Sequence, residues 1–419
     1  MIVLRLAVLS LANRWVTVLL TVLSIAVSVA LLLGVEKVRT GARQGFANTI
    51  SGTDLIIGAR SGSVQLLLYS VFRIGNATNN MSWTSYGEIA ARPEVAWAVP
   101  LSLGDSHRGY RVLGTTPEFF GRYRHGRDRP LVFAQGAVFS DLFDAVLGAE
   151  TARELGYVLG QPIVVEHGLA SVGAADHDDK PFRVAGILAP TGTPVDRTIH
   201  VSLQAIEAIH VDWQSGARMR GQAVGADEVR RMTLQPKAIT AALVGLKSRL
   251  GVFAVQRYVN DYRDEPLSAV LPGVALQELW SLVGVAETAL MVVSALVVVT
   301  ALLGMLTTIV STLNERRREM AILRSVGAGP RHVLGLLVAE AALLAALGVL
   351  AGVGLLYAGL AVARPLVEAA LGLHLELDWI GIHEGLMLLG IVGAAAVAGL
   401  LPGMRAYGHS VVDGMTVRT

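Results

Sequence analysis

The chain has 419 residues, of which 53% are hydrophobic and 16% charged, which is too apolar for an ordinary soluble enzyme and too polar for a purely membrane-embedded bundle. Its 35 Lys and Arg residues nearly balance 33 Asp and Glu residues, so the formal net charge of +2 gives no reason to expect a nucleic-acid partner. The absence of cysteine excludes thiol catalysis, disulfide bonds and metal centres with Cys ligands.

The first long apolar run covers residues 15–34 and contains no charged residue. As a helix it would be about 30 Å long, which is enough to cross the hydrocarbon core of a bilayer. A cleavable signal peptide normally has a shorter apolar region followed by small residues, whereas three leucines lead here into Gly34 and Glu36. We therefore predict an uncleaved transmembrane anchor. Residues 1–14 predict a short amphipathic helix at the cytoplasmic surface, with a frayed terminus as the alternative.

Residues 51–274 mix short β-rich runs with brief helical patterns. The predicted strands are residues 95–101, 110–115, 162–165, 182–189, 238–246 and 252–258. The predicted helices are one opened by a capping box at Ser85 and Glu88, and two more at residues 150–155 and 203–210. Because strands and helices do not alternate in long βαβ units, we predict a large α+β domain inserted between the first and second membrane spans.

Both edges of this domain are predicted to be helical extensions of the flanking spans. Residues 35–50 continue the first span and residues 275–287 precede the second, so together they predict a two-helix stalk. Two segments rich in Gly, Ala, Ser and charged residues, 170–180 and 215–228, are predicted to be exposed loops.

Three further runs without charge lie in the C-terminal third, at residues 288–313, 341–363 and 385–404. With the first run they predict four transmembrane helices per chain. The predicted boundaries are a stalk and second span at 275–313, a cytoplasmic segment at 314–329, a third span at 330–363, a periplasmic loop at 364–384, a fourth span at 385–404 and a tail at 405–419.

Charge in the short connections predicts the orientation. Five arginines lie between the second and third charge-free runs, in residues 314–340, whereas Arg364 is the one Lys or Arg residue between the third and fourth. The positive-inside rule places the five-arginine segment in the cytoplasm. Because the number of spans is even, both termini are expected there too, and the large domain is expected on the opposite side of the membrane.

Glu340 lies within the third predicted span, about ten residues after the helix start expected at Pro330. An ionisable side chain in the apolar layer costs on the order of a few kcal/mol and is a functional candidate by default. Two interpretations stay open: bracing by hydroxyls of the preceding span, or a role in transmembrane coupling. The hydroxyls concerned belong to Thr307, Thr308, Ser311 and Thr312.

Small residues recur on the last two spans. Gly348 and Gly352 are four residues apart, Gly354 and Gly359 follow, and the fourth span has Gly399. Small residues at such spacing let helix backbones approach closely in lipid. We therefore predict that they serve helix packing rather than the lining of a pore.

The sequence lacks the motifs that would make the chain an enzyme by itself. It has no G-x-x-x-x-G-K-[ST] phosphate loop, and the nearest string, residues 245–248, lacks the second glycine. Neither G-x-S-x-G nor H-E-x-x-H occurs. We predict that the chain has no catalytic residue and does not hydrolyse ATP alone.

One polar segment of the large domain combines nitrogen and oxygen donors of the type that zinc prefers. Its members are His167, Asp176, His177, Asp178 and Asp179. Their spacing matches no ligand motif, so we favour a hydrated polar loop with no bound metal and keep a metal site as the alternative.

The most informative segment is the predicted cytoplasmic one, residues 314–329. An apolar ridge is formed by Met320, Leu323 and Val326, with Ile322 beside it. The charged residues around the ridge are Glu315, Arg316, Arg317, Arg318, Glu319 and Arg324. Gly327 is expected to end this helix. A plain positively charged loop needs no apolar ridge in water, so we predict a helix that docks on a soluble partner.

This segment resembles the coupling helix of the MacB/FtsX family of type VII ABC transporter permeases, which includes LolC- and LolE-related proteins. The matching residues are Arg318, Glu319, Ile322, Leu323, Arg324, Gly327 and Ala328. The resemblance extends to the C-terminal pattern in residues 401–413 and, in the large domain, to residues 146–156 and 182–188. Together with four spans and one large domain after the first, it covers nearly the whole chain.

The resemblance implies a permease of the bacterial inner membrane that dimerises, most simply with a second copy of itself, and binds a dimer of cytosolic ABC ATPases. The ATPase-coupling residues that it implies are Arg316, Arg317, Arg318, Glu319, Met320, Ile322, Leu323, Arg324, Val326 and Gly327. ATP and Mg²⁺ would be bound by the partner, so no cofactor is expected in this chain. The resemblance also implies mechanotransmission, in which the spans transmit a conformational change to the large domain and do not conduct the substrate.

Several functions remain open. The permease would drive export, extraction or release of an envelope or periplasmic substrate, with a periplasmic adaptor or lipoprotein as partner. An FtsX-like signalling scaffold that controls a periplasmic hydrolase is one alternative, and a permease linked to zinc handling is another. Besides these partners we expect membrane lipids and no nucleic acid.

Overall fold

The computed structural model describes residues 14–126, 128–168, 179–214, 217–218, 224–313, 322, 325, 327–371 and 379–407. The predicted N-terminal amphipathic helix, the end of the tail and most of the predicted loop at 170–180 lie outside these residues. The chain divides into a helical unit, within residues 1–41, 284–366 and 375–419, and a sheet unit, within residues 42–283 and 367–374.

The helices and strands account for most of the described chain. The helices are α1 Trp15–Thr49, α2 Ser63–Ser70, α3 Trp83–Ala90, α4 Glu118–Arg122, α5 Ala149–Leu155, α6 Leu203–Ile209, α7 Ala226–Val229, α8 Val252–Asn260, α9 Pro272–Leu313, α10 Pro330–Leu371, α11 Ile382–Ala398 and α12 Leu400–Tyr407. The strands are β1 Leu55–Ala59, β2 Met81–Ser82, β3 Val95–His107, β4 Tyr110–Thr115, β5 Arg124–His125, β6 Arg129–Pro130, β7 Phe133–Gly136, β8 Asp144–Leu147, β9 Pro162–Ile163, β10 Glu166–His167, β11 Phe182–Leu188, β12 Thr198–Ser202, β13 Trp213–Gln214, β14 Ala217–Arg218, β15 Ala238–Ile239, β16 Ala241–Leu246 and β17 Leu267–Val270. Two 3₁₀ turns lie at Pro194–Arg197 and Arg249–Gly251.

Four helical segments of the described chain are long and apolar enough to cross a membrane. They are Trp15–Thr49, Pro272–Leu313, Arg331–Ala363 and Ile382–Met404. Helices α1 and α9 have 35 and 42 residues, whereas about 20 residues cross a hydrocarbon core. Each therefore continues well beyond the length that a bilayer requires, in the stretches where the sequence predicts a stalk.

Glycines let two of these helices pack closely inside the helical unit. A Cβ atom added to Gly348 on α10 would lie 2.5 Å from Cγ2 of Ile25 on α1, and one added to Gly352 would lie 2.7 Å from the Ala26 carbonyl oxygen. Contacts that short are sterically forbidden, so both positions require glycine. Within the described part of the chain, no atom lies within 4 Å of a Cβ added to Gly354 or Gly359. The predicted packing role is confirmed for the first pair.

The sheet unit is built on an 11-stranded sheet, with strand order β17-β1-β16-β3-β4-β12-β8-β11-β7 and with β10 and β9 added beside β3 and β11. Most pairs are antiparallel, but β12 runs parallel to β4 and β11 parallel to β8. This arrangement confirms the predicted α+β fold. The 13-residue strand β3 joins the two halves, because its first part pairs with β16 and its second part with β4 and β10.

Three local predictions for the sheet unit are wrong. Residues 226–228, predicted as part of an exposed loop, begin the short helix α7. Residues 252–258, predicted as a strand, form helix α8, in which Val252 is partly buried, Val255 and Val259 are fully buried and Phe253 is exposed. Burial at positions 252, 255 and 259 follows the helical period, which the β-branched valines obscure. Helix α3 is capped by Ser82, whose Oγ accepts a hydrogen bond from the Ser85 backbone N–H, so it starts three residues earlier than predicted.

Candidate functional sites

The predicted coupling segment is described at five of its positions, 322, 325 and 327–329. Ile322 is 62% exposed, and the Ser325 hydroxyl donates a hydrogen bond to its carbonyl oxygen at 2.8 Å. Gly327 has a φ of +99°, a conformation that glycine adopts readily and that agrees with the predicted helix stop. The other predicted coupling residues lie outside the described chain: Arg316, Arg317, Arg318, Glu319, Met320, Leu323, Arg324 and Val326.

Glu340 is buried on α10, as the sequence predicts for a residue within a span. Its role, bracing or transmembrane coupling, stays a prediction, although the four α9 hydroxyls expected to brace it donate to other acceptors. Each of those hydroxyls donates instead to a backbone carbonyl of its own helix: Thr307 to Leu303, Thr308 to Gly304, Ser311 to Thr308 and Thr312 to Ile309. A hydroxyl has one hydrogen to donate, and within a helix the carbonyl one turn back is the nearest acceptor.

Sequence reasoning missed an ionic cluster in the helical unit. The Lys37 ammonium lies 3.1 Å from a Glu384 carboxylate oxygen and donates a hydrogen bond to the Trp379 carbonyl oxygen. Glu384 also accepts the Gly381 backbone N–H at 2.8 Å, which caps α11. The capping pattern of Glu384 three residues after Gly381 is visible in the sequence, but its partner on α1 is not.

In the sheet unit, three side chains from separate elements meet around Asp105. His167 on β10 lies directly opposite Asp105 on β3, and the β3–β4 register shifts between Leu103 and Ser106, so Asp105 lies in an irregular stretch of strand. His210 occupies the C-cap position of α6. The Nδ1 atom of His167 lies 3.2 Å from Oδ1 of Asp105 and 3.1 Å from Nε2 of His210.

Burial and charge differ across this group, which we call the Asp105 cluster (Asp105, His167 and His210). The Asp105 side chain is 3% exposed, whereas those of His167 and His210 are 41% and 26% exposed. The hydrogen bond to Asp105 raises the pKa of His167 against the opposing effect of desolvation. The buried carboxylate thus attracts positive charge to a site that opens to solvent on its histidine side.

The structure places the predicted zinc-type donors differently from the sequence pattern. His167 joins the Asp105 cluster, whereas Asp179 contacts the buried ammonium of Lys180 at 2.9 Å. Lys180 also lies 3.0 Å from the buried Asp212, so this part of the segment forms a structural ion pair. The remaining three predicted donors, Asp176, His177 and Asp178, lie outside the described residues.

A polar cavity of about 200 Å³ is lined in part by Gly104 and Gly168, the sequence neighbours of Asp105 and His167. It is also lined by Arg73, Arg111, Asn76 and Asn80. Burial lowers the pKa of Arg73 to about 10, which leaves its guanidinium charged at neutral pH. Two guanidinium groups and two amides can bind a small anionic group.

Four candidate membrane spans with one large α+β domain between the first and second define a membrane-embedded protein with a large inserted domain. The MacB-like periplasmic core domain matches residues 18–241, which is more than half of the chain, and the FtsX-like permease C-terminal domain matches residues 291–411. The chain therefore belongs to the MacB/FtsX-like family of ABC transporter permeases, and its sheet unit is the periplasmic domain.

Individual proteins show more distant similarity. The macrolide export ATP-binding/permease protein MacB of Shewanella oneidensis is 22% identical over 381 residues, covering 84% of this chain and 52% of the relative. The chain thus spans about half the length of that curated relative. The crystal structure of the periplasmic region of MacB from Actinobacillus actinomycetemcomitans has 11% identity, 55% and 94% coverage and a TM-score of 0.33. The extracellular domain of the noncanonic ABC-type transporter YknZ from Gram-positive bacteria has 11% identity, 52% and 98% coverage and a TM-score of 0.31.

Proposed function

We propose that this chain is the permease subunit of an ABC transporter in which a separate cytosolic ATPase drives conformational change of the periplasmic domain. Such a change would export, extract or release an envelope or periplasmic substrate. The observation that best supports the proposal is the length of α1 and α9, 35 and 42 residues, each without a break. A continuous helix is stiff enough to carry a displacement along its axis, and packed helices switch between discrete arrangements.

The composition of the spans favours transmission of movement over passage of substrate. The hydroxyls of α9 are occupied by backbone carbonyls of the same helix, as at Thr307 and Thr308, so they do not offer free donors to a polar solute. Side chains such as Met305, Leu337 and Leu344 fill the core of the helical unit. Four spans filled in this way leave no hydrophilic path within the described part of one chain.

The exposed Ile322 supports a docking surface for the ATPase between α9 and α10. A partner that binds a helix in an apolar groove requires an exposed apolar side chain on that helix. Ile322 is such a side chain, in a segment rich in arginine. The partner would be a dimer, matched by two copies of this permease. ATP and Mg²⁺ would be bound on the ATPase, which agrees with the lack of a phosphate loop in this sequence.

The test is to co-express the full chain with its candidate ATPase and to measure co-purification and ATP turnover in lipid nanodiscs. We expect Ile322→Ala and Leu323→Ala to reduce both by about tenfold or more, because apolar anchors at an interface contribute about 1–3 kcal/mol each. Leu250→Ala is the matched control, since Leu250 is an exposed leucine of the periplasmic domain. Unchanged binding and turnover in the Ile322 and Leu323 variants would refute the coupling role.

A further inference from the structure

The Asp105 cluster has the geometry of a metal site. Its ligand atoms are Oδ1 of Asp105, Nδ1 of His167 and Nε2 of His210, separated by 3.2, 3.1 and 3.7 Å. In a tetrahedral zinc site with bonds of about 2.0–2.1 Å, neighbouring ligand atoms lie about 3.3–3.4 Å apart. One ion can therefore lie about 2 Å from all three atoms at once, without movement of the backbone.

Hydrogen bonding orients His210 for this role. Its Nδ1 lies 2.7 Å from the Ile206 carbonyl oxygen, one turn back on α6, and can only donate to that acceptor. In the neutral imidazole the lone pair is then on Nε2, which is the atom that faces the cluster. A ring N–H bonded to a backbone carbonyl is the usual support of a histidine that ligates a metal.

The charge of the cluster also favours a cation. Oδ1 of Asp105 and Nε2 of His210 lie 3.7 Å apart, and both lie close to Nδ1 of His167. A divalent ion among these atoms would interact with all three and balance the charge of the buried carboxylate.

We propose that Asp105, His167 and His210 bind a divalent transition-metal ion, zinc by preference, in the periplasmic domain. Two imidazole nitrogens and one carboxylate favour zinc over Mg²⁺ or Ca²⁺, which prefer oxygen ligands. Water or a further ligand would take the fourth position of a tetrahedral site. This site does not depend on the proposed coupling to an ATPase.

A bound ion would join three parts of the domain that are far apart in sequence. The ligands lie on β3, on β10 and at the end of α6, and the chain between successive ligands is 62 and 43 residues long. Linking such distant segments restricts the unfolded chain, so the bound state is more stable than the metal-free state. The free energy of unfolding of the domain should therefore rise with zinc concentration.

The test uses the full chain, purified in detergent and stripped of metal, and titrated with Zn²⁺ in competition with a chromogenic chelator. We expect one ion per chain with a Kd of about 1 μM or lower, and a weakening of about 100-fold or more in His167→Ala and in His210→Ala. His383→Ala, at an exposed histidine of the helical unit, is the control for the two histidine variants. Asp227→Asn, at an exposed carboxylate, is the control for Asp105→Asn.

A second readout separates ligand loss from misfolding. Co²⁺ bound to the wild-type chain should give the visible absorption bands of a tetrahedral centre, and circular dichroism should show that each variant is folded. A wild-type Kd above about 100 μM would overturn the proposal, because three fixed ligands should bind more tightly than that. Binding that is lost in His177→Ala but retained in His210→Ala would also overturn it, since the ion would then lie elsewhere.

Discussion

Two histidines of the periplasmic domain occupy opposite electrostatic environments. The hydrogen bond to the Asp105 carboxylate raises the pKa of His167, whereas burial, helped by the charge of Arg73, lowers the pKa of His200 to about 3. His200 packs against the rings of Phe119 and Phe120, and its Nδ1 donates to the Val146 carbonyl oxygen at 3.3 Å. The sequence reveals neither environment, because each is made by residues more than 50 positions away along the chain.

At the residue scale, the burial of His200 predicts a specific loss of stability in acid. The unfolded chain binds a proton at His200 near its ordinary pKa of 6.5, whereas the folded chain does so only near 3. The free energy of unfolding is therefore undiminished above about pH 6.5 and falls as the pH decreases from there towards 3, by at most about 1.4 kcal/mol per pH unit.

The measurement is urea unfolding of the periplasmic domain at pH 7.5 and at pH 5, with the full chain purified in detergent. Limited proteolysis reports the unfolding. The free energy of unfolding of the wild type should fall between pH 7.5 and pH 5. We expect this fall to be about 1–2 kcal/mol smaller in His200→Leu, because leucine binds no proton. His383→Leu is the control, since His383 is exposed. Equal losses in wild type and His200→Leu would show that His200 does not cause the dependence.

At the element scale, the spans follow directly from the sequence, whereas short elements of the domain do not. An apolar run of 20 residues has few structural alternatives, so α1 and α9 are predicted with their extensions. Helix α8 has nine residues and three valines, and its helical period competes with the β preference of valine. The helical period of burial at Val255 and Val259 becomes visible when the neighbouring strands β1 and β17 are known.

The contact between α1 and α10 gives a prediction at the same scale. Gly352→Ala should destabilise the helical unit by about 1–3 kcal/mol, because the added Cβ would lie 2.7 Å from the Ala26 carbonyl oxygen and 2.8 Å from Val29, as in an overpacked core. Gly354→Ala should be neutral or slightly stabilising, since a Cβ there has no neighbour within 4 Å among the described residues and alanine favours a helix. The measurement is the fraction of each variant that still elutes as folded protein in size-exclusion chromatography after heating. An equal loss in the two variants would contradict a close contact at Gly352.

At the scale of the whole molecule, the family and the α+β class were predictable from the sequence, but the metal site was not. Topology depends on where apolar residues and arginines lie along the chain, which the sequence gives directly. The Asp105 cluster depends instead on a register shift in β3, on the β3–β10 pairing and on the end of α6. The sequence identifies His167 as a donor, but the partners that it predicts are sequence neighbours rather than residues that the sheet brings to it.

The orientation of the whole chain is the last property that the charge pattern predicts and that the proposed mechanism requires. Because the chain has no cysteine, single-cysteine variants need no prior substitution. We expect Leu250→Cys, at a position 94% exposed in the domain, to react with an impermeant maleimide on intact spheroplasts. Ser325→Cys, between α9 and α10, should react only after permeabilisation, because the arginines around it predict a cytoplasmic location. The reverse pattern would place the domain on the ATPase side of the membrane, where ATP hydrolysis could not be transmitted across the bilayer to it.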